Sequence, residues 1–135
     1  MRIKNNKLPA YTLQEILIVL VIIGILILLA LPSLMPLVSR AKSLEAQMQL
    51  KHLASLEQSH FMLKSTYTDN FNKIGFEHEA TILEGGTANY QIEIVEVNPS
   101  GFLARATALA DFDGDGIVNI WEVREDQIIV EIQAD

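Results

Sequence analysis

One stretch near the N-terminus limits this chain more than any other feature. From Ile16 to Leu31 every residue is apolar or glycine, and after Pro32 and Ser33 the apolar character resumes at Leu34, Met35, Leu37 and Val38. As a helix the first run rises about 24 Å and the run to Val38 about 35 Å, against a hydrocarbon core about 30 Å thick. There is room for one membrane span and no second. About a hundred residues remain, enough for one modest domain with its own core.

The run also explains the composition. Half of the 135 residues are hydrophobic, a high share for a small soluble protein, and the excess sits in this one place. The formal charge of −7 hides an asymmetry. Arg2, Lys4 and Lys7 make the first ten residues basic, and the other seven basic residues against all 17 acidic ones leave −10 for the rest. So acidic a body argues against nucleic acid as a main ligand. There is no cysteine, which excludes disulfides, thiol catalysis and thiolate metal sites.

A basic leader before an apolar run fits a secretory signal, an ordinary anchor, or an anchor with specialised processing. A secretory signal needs a small-residue cleavage site after the apolar stretch. Here the run passes through Pro36 into Ser39, Arg40, Ala41 and Lys42 with no such pattern. The basic leader places the N-terminus in the cytoplasm and the body outside it.

An ordinary anchor leaves Glu15 unexplained, because a carboxylate at a helix centre in a bilayer costs about 3 kcal/mol. One reading sets it in the interface, where the helix macrodipole favours it by up to about 1 kcal/mol. The other requires cleavage after Ala10. That would create a new ammonium at Tyr11, four residues before Glu15, and helices packed side by side could pair amine with neighbouring carboxylate.

Lys7-Leu8-Pro9-Ala10-Tyr11-Thr12-Leu13-Gln14-Glu15 followed by an apolar helix resembles the processing site of type IV pilins and their relatives, and Gly24 and Pro32 fall where that family has a glycine and a proline. The family usually has Gly before the cut and Phe after it, where this chain has Ala10 and Tyr11. The resemblance implies cleavage by a prepilin peptidase between Ala10 and Tyr11, N-methylation of Tyr11, and a recruiting role for Glu15 in assembly. It implies helix melting between Gly24 and Pro32 when a filament extends. Its partners would be identical or related pilin subunits, the peptidase and an inner-membrane assembly platform. The chain would sit as a single span in a bacterial inner membrane before assembly and on the cell surface afterwards.

From Ser39 the pattern stays helical but becomes two-faced, with Ala46, Leu50, Leu53, Ala54, Leu56 and Phe61 on one arc and Lys51, Ser55, Gln58 and Ser59 on another. This predicts a helix to about Lys64. Residues 65–86 are rich in turn formers and read as a loop. Beyond Gly86 the period is two, in Tyr90, Ile92 and Ile94, then Phe102, Ala104, Ala106 and Ala108, then Ile128, Val130 and Ile132, with a further strand over Ile117 to Val123. The expected fold is α+β, a long N-terminal helix packed on a small four-stranded antiparallel sheet. The expected organisation is a leader over 1–10, an apolar helix half over 11–38, an amphipathic half over 39–64 and a head over 65–135.

Between the second and third strand patterns, Asp111, Asp113, Asp115, Ile117, Asn119 and Glu122 stand at the ligand positions of a twelve-residue calcium loop, with Gly116 at its sharp turn. Strand-like sequence flanks the segment where that loop has helices, so an acidic hairpin tip competes with a calcium site. The resemblance keeps both open, since some pilins carry an Asp-rich hairpin and several secretion pseudopilins hold calcium.

No Gly-rich phosphate loop or nucleophile motif points to an enzyme, and His52, His60 and His78 form no ligand pattern. The leading expectation is a structural subunit of a type IV pilus or pilus-like filament. The alternative is a pseudopilin of a type II secretion system, and a third is a membrane-anchored, calcium-binding adhesion module.

Overall fold

The computed structural model describes residues 10–135. Arg2, Lys4, Lys7 and all but the last residue of the expected leader lie outside the described residues. The chain divides into two compact units, the first ending at Leu34 and the second running Met35–Asp135.

Helix α1, Leu13–Lys64, runs unbroken through Gly24 and Pro32. Proline has no N–H, so the carbonyl four residues before Pro32, that of Leu28, loses its intrahelical donor. The Ser33 hydroxyl donates to the Ala30 carbonyl at 2.7 Å one turn away. At the far end Ser65 takes a left-handed conformation (φ 58°), and its N–H donates to the Phe61 carbonyl at 2.7 Å, closing the last turn.

In the first unit the apolar side chains of α1 are exposed all round, Leu20 at 61%. This stretch is long and apolar enough to cross a membrane. In the second unit only one face is buried, at Ser39, Ser43, Ala46, Leu50, Leu53, Ala54 and Glu57. The steps of three and four are those of one helix face. Leu56 is only partly buried, and so is Phe61, which stacks on Tyr67 at 4.6 Å. The position that goes fully under at this end is Glu57 instead.

The segment after α1 is more ordered than a plain loop. It holds one helical turn, α2, Phe71–Ile74, and a 3-10 turn, Ile82–Glu84. Asn70 starts α2, its Oδ1 accepting from the N–H groups of Asn72 and Lys73 at 3.0 and 3.4 Å.

Four strands follow, β1 Tyr90–Asn98, β2 Gly101–Ala108, β3 Ile120–Arg124 and β4 Ile129–Gln133, antiparallel and in sequence order across one sheet. Asn98 tightens the first hairpin, its Oδ1 accepting from the Ser100 N–H at 3.0 Å. The core lies where the helix face meets β1 to β3. Ala46, Leu50, Leu53 and Ala54 cluster with Tyr90, Ile92, Phe102, Ala104, Ala106, Ala108 and Val123. Small alanines on β2 leave room on this side of the sheet, and Leu50 and Leu53 fill it. Each such leucine contributes about 1.5–3 kcal/mol by burial.

Two strand expectations change. β3 starts at Ile120 rather than Ile117, because the connection before it is spent on other bonds: the Val118 carbonyl accepts from Gln133 Nε2 at 2.8 Å. Ile128, just before β4, and Val130 and Ile132 on it face solvent, and Ile129 packs on the core. The register shift between Ile120 and Trp121 and the bond between Asn119 and the exposed Glu131 account for that phase.

Candidate functional site

The functional candidates fall in two places, the start of α1 and the connection between β2 and β3. At the first, Ala10 and Tyr11 are exposed and non-helical, so the expected processing site stands just ahead of the helix. Thr12 and Glu15 then hold each other. The Thr12 N–H donates to Glu15 Oε2 at 2.7 Å, the Thr12 hydroxyl donates to the same oxygen at 3.0 Å, and the Glu15 N–H donates to Thr12 Oγ1 at 3.2 Å. This is a reciprocal capping box, which satisfies two N–H groups that a helix start would leave open. The spacing Thr-x-x-Glu signals it in sequence, and a reading focused on the cost of the charge missed it. Both donations to Glu15 fall on Oε2, so Oε1 projects without an intrachain hydrogen bond among the described residues.

The aspartate connection separates the six residues of the calcium pattern. Asp111, Asp113 and Asp115 come together, each offering a carboxylate oxygen within 4.8 Å of the others. Their oxygens also organise the backbone. Asp111 accepts from the N–H groups of Gly114 and Gly116 at 2.5 and 2.6 Å, Asp113 from Asp115 at 3.0 Å, and Asp115 from Ile117 at 2.7 Å. Gly114 and Gly116 take φ 85° and 89°, a conformation that side chains disfavour. The bonds from Gly116 and Gly114 hold the Asp111 carboxyl below the usual range. At Asp113 the bond from Asp115 pulls down, but desolvation and the charges of Asp115, Asp135 and Asp111 together outweigh it and push the carboxyl up.

Asn119 and Glu122 do not join them. Asn119 is 1% exposed and serves as a hub. Its Oδ1 accepts from the Tyr90 hydroxyl at 2.8 Å and from Trp121 Nε1, while its Nδ2 donates to Glu131 Oε1 at 2.8 Å and to the Gln133 carbonyl at 3.0 Å. Every polar valence of that amide is used, and desolvation of Tyr90 pushes its phenol up. Glu122 follows Trp121, which packs on the core, and so projects from the opposite face of the sheet. There it accepts from Arg105 Nε and Nη2 at 2.9 and 2.6 Å. Ile117 lies exposed in the connection with its side chain in solvent. The spacing matched a calcium loop; the strand geometry at Ile120–Arg124 assigns its second half to the core and the outer face.

Asp135 fastens the aspartate connection. Its carboxylate accepts from the N–H groups of Phe112 and Asp113 at 2.9 and 3.1 Å, and its carbonyl accepts from the Ser39 hydroxyl at 3.2 Å. The Lys42 ammonium stands 4.2 Å from the centre of the Phe112 ring. In a cysteine-free head, hydrogen bonds and packing hold this region to the helix. Sequence gave no sign of the Asp135 role.

No family model matches the chain. Over 75 residues it is 40% identical to the type IV major pilin protein PilA of Myxococcus xanthus, strain DK1622. Over those residues the chain is similar to a type IV pilin. They make up 56% of this chain and 34% of the relative, so the chain spans about a third of the length of the curated relative it matches. A long apolar helix leading into a four-stranded antiparallel sheet fits the pilin architecture.

Proposed function

We propose that this chain is a structural subunit of a type IV pilus or pilus-like extracellular filament, assembled through its N-terminal helix. The observation that carries the reading is α1 itself. Its first half is apolar on every side, a surface that water does not tolerate and that a bilayer, or a bundle of identical helices, does. Homology to a major pilin favours a pilus over the secretion pseudopilus, which nothing here supports better.

In this reading a prepilin peptidase cuts between Ala10 and Tyr11 and Tyr11 is N-methylated. Glu15, already turned back on Thr12 through Oε2, offers Oε1 to the amine of a neighbouring subunit. In lipid such a charge-assisted pair is worth more than at a wet surface. The carbonyl left open by Pro32 marks where helicity would yield between Gly24 and Pro32 as a filament extends. The basic leader sets the N-terminus in the cytoplasm, and the head reaches the surface with the filament. The role is structural rather than catalytic.

The test is the mass and morphology of the protein in its own cell. The expected result is a chain beginning at a methylated Tyr11, recovered from long surface filaments that disappear when the gene is deleted. A chain that keeps Met1, or a deletion that blocks secretion while filaments are absent from the parent, rejects the reading. Glu15→Gln separates the two roles of that residue. Glutamine keeps an acceptor for the Thr12 N–H, so the helix start survives while the charge is lost, and assembly is expected to fall steeply.

Calcium at the aspartate connection is a lesser part of the proposal. The three clustered carboxylates support it, but without Asn119 and Glu122 the donor set lacks two of its six positions, the bidentate carboxylate among them, so affinity would be weak, at the millimolar end of known sites. Thermal unfolding of the head with calcium or with chelator tests it, an upward shift with added metal being the expected sign.

A further inference from the structure

The head, Met35–Asp135, carries seven basic residues against sixteen acidic ones, a net charge of −9. Its few cations are unevenly placed. Two of them, Lys64 on the last turn of α1 and Lys73 on α2, line one cavity of about 420 Å³, together with His60, Thr66, Tyr67 and Thr68. No carboxylate lines it, and the ion pair among the described residues is the one between Arg105 and Glu122 on the sheet. The His60 Nδ1 lies 2.8 Å from the Thr66 carbonyl, which orients the ring and anchors the segment that forms the cavity wall. Glu57 is nearby but fully buried, and its Oε2 accepts from the Thr68 N–H at 3.3 Å. Burial, as the largest influence, pushes its carboxyl up.

The strongest local concentration of negative charge, Asp111, Asp113 and Asp115, is fastened near the other end of the head's helix by Ser39, Lys42 and Asp135. From Lys42 to Lys64 a helix rises about 33 Å, so the two charged sites of one copy cannot meet. They can meet between copies. We infer that the cavity of His60, Lys64 and Lys73 receives the aspartate turn of a second copy of this chain. Two different patches of one molecule that fit each other make a head-to-tail contact, which repeats into an open helical array instead of closing as a dimer. Charge complementarity of this kind sets orientation and rejects misplaced neighbours more than it adds raw affinity. The contact deepens the filament reading and rests on it.

The absence of cysteine makes the test clean. Lys73→Cys and Asp115→Cys are introduced together into the full chain, and filaments sheared from cells are treated with a mild oxidant. The expected result is a ladder of dimers, trimers and longer species, reversed by reductant, while each single variant stays monomeric. Filaments of the double variant that remain monomeric overturn the contact. If the double variant does not assemble, a charge swap decides. Lys64→Glu with Lys73→Glu is expected to lower filament yield about tenfold, and adding Asp113→Lys and Asp115→Lys to restore it; no recovery also overturns the contact. An unaltered chain that forms no filaments at all would instead reject the filament reading, and the contact with it.

Discussion

The two halves of α1 share one secondary structure and answer to different solvents. Around Leu20 the helix presents apolar side chains in every direction, and no described residue of its own unit covers them. Around Leu50 the same helix hides a single stripe against Ala104, Ala106 and Ala108 and leaves Lys51 and Ser55 to water. In the filament reading proposed above, the helix is stabilised twice over, by a bilayer or neighbouring helices in its first half and by its own sheet in its second. Mutations should therefore register in different measurements. Leu50→Ala removes a side chain with no exposed surface, and the head is expected to lose about 2–5 kcal/mol in denaturant unfolding. Leu20→Ala is expected to leave head stability within about 0.5 kcal/mol. Equal losses at both positions would mean that the halves form one cooperative unit.

Within the head a second contrast separates Asn119 from the aspartates it was grouped with by spacing. Asn119→Ala leaves the buried Tyr90 hydroxyl and the half-buried Trp121 N–H without their partner and releases the exposed Glu131. A loss of about 2–3 kcal/mol is expected, since each buried group left unpaired costs about 1–3 kcal/mol and some will find water. Asp115→Ala, at an exposed turn, should cost well under half of that. Thermal unfolding of the two variants side by side reads the difference, and a larger effect at Asp115 would restore the aspartates as the organising centre.

How far the sequence revealed this structure follows from which forces have a period. The two-faced helix to Lys64 and the strands repeat every 3.6 or 2 residues and the apolar run is unbroken, so burial writes them into the pattern directly. The phase of β4 escaped because it depends on a register shift beside Trp121 and on the hydrogen bond between Asn119 and Glu131. Alternating Ile128, Val130 and Ile132 gives no hint of either. The calcium pattern failed to predict the positions of Asn119 and Glu122 for a related reason. Their spacing fits a loop that would curl around one ion, whereas strand pairing at Ile120–Arg124 sends alternate side chains to opposite faces. Glu57 could not be foreseen at all, since a glutamate on a helix is ordinarily a surface residue.

Glu57 carries its own pH test. It is fully buried, Oε2 accepts from Thr68, and Oε1 has no hydrogen-bond partner among the described residues. Burial raises its folded-state carboxyl above the ordinary value of 4.5, with Asp69 adding to the rise and the Thr68 bond and His60 opposing it. A carboxyl that is harder to ionise when folded favours the unfolded state once the unfolded chain can lose its proton. Below pH 4.5 Glu57→Gln and the unaltered head should therefore match closely. The variant should become progressively the more stable as pH rises from there through the folded-state value, and the gap should then stay constant. A gap that opens in the opposite direction would mean that Glu57 is ionised and paired in the folded head.

The smallest effect is expected on the outer face of the sheet, where it bears on the aspartate connection. The Arg105 and Glu122 pair lies within hydrogen-bonding distance but is partly exposed on the Arg105 side, and pairs of that kind contribute under about 1 kcal/mol. Arg105→Ala should lower head stability by no more than that. It also frees Glu122, the position at which a calcium loop places its bidentate carboxylate. If Glu122 could swing to the aspartates, its release would enlarge the calcium-dependent shift in unfolding temperature. Because strand β3 holds it on the face turned away from the core, the shift in Arg105→Ala is expected to equal that of the unaltered head. A larger shift in the variant would show that the second half of the calcium pattern is held in reserve by an arginine rather than committed to the sheet.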